Sequence, residues 1–71
     1  MEWNFNMMTE NMKLWLKELY LTEANDHFET ARFEHRCALG APTNEASTLH
    51  EMNADEHREF ACLLQSMANQ I

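Results

Sequence analysis

Apolar residues recur along this chain at spacings of three, four and seven, the repeat that keeps side chains on one side of an α-helix. From about residue 7 to 38 the chain holds no Gly or Pro and is rich in Leu, Met, Glu, Lys and Ala, which favour helix. The single Gly and the single Pro fall together in Leu39-Gly40-Ala41-Pro42-Thr43-Asn44. Gly40 suits a left-handed residue just past a helix end, and Pro42 stops continuation. The pattern resumes from about 45 to 69, with Thr43 or Asn44 as N-cap and Glu45 in the first turn; Thr48 with Glu51 is an alternative capping box. Two long helices joined by about six residues lie antiparallel. The fold class read from the pattern is therefore all-α: an antiparallel helical hairpin with helices about 7–38 and 45–69. Residues 1–6 form an N-terminal arm and 39–44 the turn, all within one domain, 1–71. Thr22, followed by Glu23 and Asp26, could cap a fresh helix, and a break there would give a three-helix alternative.

The second helix has one apolar stripe, made of Ala46, Leu49, Phe60, Leu64, Met67 and Ile71 around Asn53, with Ala61, Leu63 and Ala68 beside it. The first has two. Met7, Leu14, Leu21, Phe28 and His35 form a heptad line, accompanied by Ala24, Ala31 and Ala38, which is the expected contact for the second helix. Met8, Met12, Trp15, Leu16, Leu19 and Tyr20 form another, separated from the first by charged and polar residues. One hairpin cannot bury both. Cover by the arm, with Trp3 and Phe5, is one solution; a second hairpin is the other, and it would complete a four-helix bundle as a homodimer. On this reading Met8, Met12, Trp15, Leu16, Leu19 and Tyr20 are the interface.

Size strengthens that expectation. A chain of 71 residues gains only roughly 3–5 kcal/mol from its own core and usually needs a metal, disulfides or a partner. Cys37 and Cys62 match neither a redox pair nor a zinc ribbon and read as free thiols in a cytoplasmic protein. The N-terminus lacks the basic start of a secretory signal, and its own Met suggests a complete small reading frame.

The four histidines add candidate chemistry. With the turn near Pro42, antiparallel neighbours have numbers summing to about 84 or 85, so His35 should face His50, and His27 should face His57. Polar layers that set register are the plainer reading, each His paired with a carboxylate or carbonyl. Zn or Fe held by His27, His57 and Glu23 in a dimeric bundle is the alternative, although no Glu stands three residues before a His, as ferritin-like sites require. A response to acid is a third. No cofactor is otherwise expected, and no catalytic residue is expected: Ser and Thr show no triad logic, and Cys37 has no implied oxyanion donors.

Five Lys and Arg against 12 Asp and Glu give a net charge of −7, which excludes a basic nucleic-acid binder. Glu18, Glu23, Asp26 and Glu29 on the first helix, with Glu51, Asp55, Glu56 and Glu59 on the second, are expected to make one flank acidic. Such a flank suits a larger, basic protein, including one that handles nucleic acid. The functional expectation is a small non-enzymatic interaction module that self-associates and binds or inhibits such a partner, without contacting nucleic acid or membrane. Phage and mobile-element accessory inhibitors are similar in size and charge, and no motif extends the likeness further.

Overall fold

The computed structural model describes residues 8–71, and the expected arm falls outside that range. Two helices make up the fold: α1, Glu10–Leu39, and α2, Asn44–Asn69, packed along each other as a hairpin. Helix α1 begins three residues later than the apolar pattern suggests, because Thr9 is extended and its hydroxyl accepts the Met12 N–H at 3.1 Å. It runs through Thr22 without a break, so the three-helix alternative does not form. Thr43 caps α2 in the same way, accepting from the Ala46 N–H at 3.1 Å. The turn departs from expectation in one respect: Gly40 has φ −100° and ψ 7°, outside the left-handed region. Its N–H donates to the Arg36 carbonyl and that of Ala41 to Ala38, both at 3.3 Å, so ordinary backbone geometry closes the helix.

What joins the helices is mostly alanine. Ala24, Ala31 and Ala38 on α1, and Ala54, Ala61 and Ala68 on α2, are each seven residues apart and all buried. Leu64 joins Ala24 and Ala61 in the core, with Tyr20 and Phe28 packed partly against them. No large side chain among the described residues is fully buried. The heptad line expected to make this contact lies beside it: Leu14 remains 64% exposed and Leu21 37%. The reason is steric, since alanine lets two helix backbones approach more closely than a leucine ladder does. The yield is small, because each alanine contributes about one methyl, worth ~0.8 kcal/mol.

Candidate interaction surface and histidine layers

Contacts across the seam fix which flanks of the two helices lie together. On one flank His35 Nδ1 donates to Glu51 Oε1 at 2.7 Å. Seven-residue steps place Leu14, Leu21 and Phe28 on that flank with Arg58 and Gln65. The opposite flank carries Leu16, Glu23, Thr30 and Cys37 of α1 beside Ala46, Asn53, Phe60 and Met67 of α2. Phe60 there lies with its ring 4.7 Å from that of His27.

The six residues of the second α1 stripe do not share one environment. Tyr20 turns inward against the core cluster, and Met8 is buried. Trp15 points away from α2 and is 67% exposed; Met12 and Leu19 are also exposed, and Leu16 is half-buried. An open depression of about 220 Å³ beside them is lined by Trp15, Glu18, Leu19 and Thr22. Lys13 and Lys17 meanwhile occupy half-buried positions, Lys17 being in heptad phase with Ala24 and Lys13 with Tyr20. The open end is thus inverted, with cations toward the neighbouring helix and large apolar groups toward water. A helix segment apolar on most of its circumference is the pattern of one surrounded by protein.

The eight carboxylates spread over the middle half of the hairpin, from Glu18 to the level of His35 and Glu51, without sharing a face. Glu51 borders the Leu14 flank and Glu23 the Leu16 flank, while Glu29 and Glu59 stand on the outer sides of their helices. They form an acidic belt around the middle of the rod, which corrects the expectation of one acidic flank. Two are already engaged, Glu51 with His35 and Asp55 with Arg58 at 2.5 Å.

His27 and His57 meet across the seam as the spacing predicts. Their Nδ1 atoms lie 2.9 Å apart, and the rings stack with centroids 5.1 Å apart. One ring supplies Nδ1–H and the other a bare Nδ1, so one N–H bridges the two nitrogens. His35 does not face His50. Instead His50 Nδ1 donates to Glu34 Oε2 at 2.5 Å, making two crossed His–Glu pairs. Glu34 is held below the ordinary carboxylate range, first by that hydrogen bond and then by the nearby charge of His50, with Asn53 and His57 adding to it and partial desolvation opposing. The expectation that each histidine pairs with a carboxylate or carbonyl is met by two of them, while the other two pair with each other. Glu23, offered as a third metal ligand, is exposed, and among the described residues no three His, Cys, Asp or Glu side chains gather in a metal-binding group.

The architecture is that of an alanine-seamed helical hairpin with an apolar, inverted open end. No protein-family model matches the chain, and neither a curated protein nor a solved structure is similar to it. Among the described residues no helix is long and apolar enough to cross a membrane.

Proposed function

We propose that this chain is a non-enzymatic protein–protein interaction module. It self-associates through the apolar residues of its open end and offers its acidic belt to a larger, basic protein, whose nucleic-acid-binding surface the carboxylates would compete for. The observation carrying this reading is the inversion of the open end: Trp15 at 67% and Met12 at 45% exposure stand outward around a core of alanines. Burying a large apolar side chain contributes very roughly 1.5–3 kcal/mol, and a monomer leaves that unused here. The belt supplies what an apolar contact lacks, a long-range field that steers a basic partner. Size-exclusion chromatography with light scattering tests the first half. Wild-type protein should run as an oligomer, and Trp15→Asp should weaken it; a stable wild-type monomer sinks the claim. The second half is tested by capturing partners from host lysate with the wild type and with Glu18, Glu29, Asp55 and Glu59 all neutralised to Gln or Asn. Loss of a basic partner in the neutralised variant supports the reading, and equal capture by both overturns it.

A further inference from the structure

The self-association just proposed has a more specific form, which rests on that reading. The geometry points to a second copy of this chain seated on a composite face built by both helices: Met12, Leu16 and Leu19 of α1 with Phe60, Leu63 and Met67 of α2. The sequence pattern assigns the α1 residues to an interface and the α2 residues to the hairpin's own core. The structure separates them differently. The alanine seam leaves Phe60 and Leu63 51% and 56% exposed, although one face of Phe60 lies against the His27 ring. The His35–Glu51 contact puts Leu14 on one flank, so Leu16 and Met67 share the other. Antiparallel neighbours here have numbers summing to 84–86, as in the His27–His57 and His35–Glu51 pairs, which brings Leu19 level with Met67. The six residues therefore form one patch at the open end.

Area identifies the occupant. Four of the six residues, Met12, Leu19, Phe60 and Leu63, remain 42–56% exposed, which gathers more large apolar surface on one face than a monomer keeps in water. One side of the rod, 52 by 20 Å, spans about 1,000 Å², enough for the ~800 Å² that each partner contributes to a stable interface of standard size. The molecule measures 52 × 20 × 15 Å, a two-helix rod whose side is matched in length and width by the same side of a second rod. A two-fold axis through the patch makes the contact self-complementary and yields a four-helix bundle. Alanine seams then hold each hairpin together, and large side chains join the two. Charge selects the antiparallel arrangement of the rods. Glu23, Asp26 and Glu56 border the patch on its turn side and would meet their own copies if the rods were parallel. Antiparallel, they lie alongside the partner's open end, away from their own copies.

Alanine substitutions test this without disturbing the monomer, since they fall on exposed positions and alanine is the best helix former. The full chain with Leu63→Ala and Leu19→Ala is compared with Leu14→Ala, a still more exposed leucine on the opposite flank, by light scattering and sedimentation across a dilution series. Wild type should show twice the chain mass. The Leu63→Ala and Leu19→Ala pair should raise the dissociation constant tenfold or more, and Leu14→Ala should change it less than threefold. A dimer insensitive to Leu63 and Leu19 but broken by Leu14→Ala overturns the composite face and leaves self-association standing. A dimer strengthened tenfold or more by Glu23→Gln with Glu56→Gln overturns the antiparallel arrangement, since only parallel rods bring these carboxylates against their own copies. A wild-type monomer at micromolar concentration overturns both this inference and the reading beneath it.

Discussion

At the scale of single residues, the polar layers in the seam carry the sharpest expectations. Glu34 titrates below its ordinary range because His50 donates to it in the folded chain, a donor that unfolding removes. A carboxylate whose folded pKa is lowered stabilises the fold above its unfolded pKa, and that contribution is lost as pH falls through the folded value. Wild type should therefore melt higher than Glu34→Gln at pH 7, and the gap should close as pH falls below the ordinary carboxylate range. A gap that persists unchanged into acid would show that Glu34 acts through packing. His27 and His57 are different, since each is the other's hydrogen-bond partner at 2.9 Å. Either one changed to Ala leaves a half-buried nitrogen unpaired, so the double variant should cost less than the sum of the singles. Denaturant titration should give a coupling of about 1 kcal/mol, and additive single costs would refute the bond. The meeting of these two rings was legible in the spacing. The crossing of His35 to Glu51 and of His50 to Glu34 was not, because it depends on how far each side chain sits from the seam's midline.

Among the elements, the seam and the turn differ in how much change they accept. Ala61 has no exposed surface and faces Ala24 where the backbones approach closely. Ala61→Leu forces the helices apart and should cost about 1–3 kcal/mol, with the melting temperature falling about 4–8 °C for each kcal/mol. A gain in stability would show that the seam has room. Gly40 invites the opposite expectation. Its φ is negative, and a Cβ there would meet only the Arg36 carbonyl oxygen, at 3.9 Å. Gly40→Ala should be neutral or stabilise by about 0.4–1 kcal/mol, read as a rise in melting temperature, because it removes freedom from the unfolded chain. A clear loss would mean that the turn uses another backbone state. The repeat of Ala24, Ala31 and Ala38, matched by Ala54, Ala61 and Ala68, was visible in the sequence. It is outweighed there by the larger residues of the Leu14 line, although small size is what admits the closest neighbour.

For the whole molecule, shape is the main fact. The radius of gyration of 16.2 Å compares with about 11 Å for a compact domain of this length, as a rod two helices wide requires. If folding is coupled to pairing, stability depends on concentration, and a tenfold increase in protein should raise the melting temperature by about 3 °C or more. A concentration-independent melt would place all the stability within one hairpin.

By itself the sequence determined the two helices, the cap of α2, the place of the turn and the antiparallel sense, because these follow from local propensity, from the placement of the only Gly and Pro, and from a short connection. It also determined that His27 meets His57, since register follows from the turn. Which face of α1 meets α2 was decided only by tertiary packing. Periodicity ranks stripes by hydrophobicity, whereas two packed helices choose the stripe that brings their backbones closest. That choice moved Leu14 to the flank, turned Tyr20 inward and left Trp15 in water. The same rotation spread the carboxylates into a belt, because the seam's direction sets which way every other side chain points.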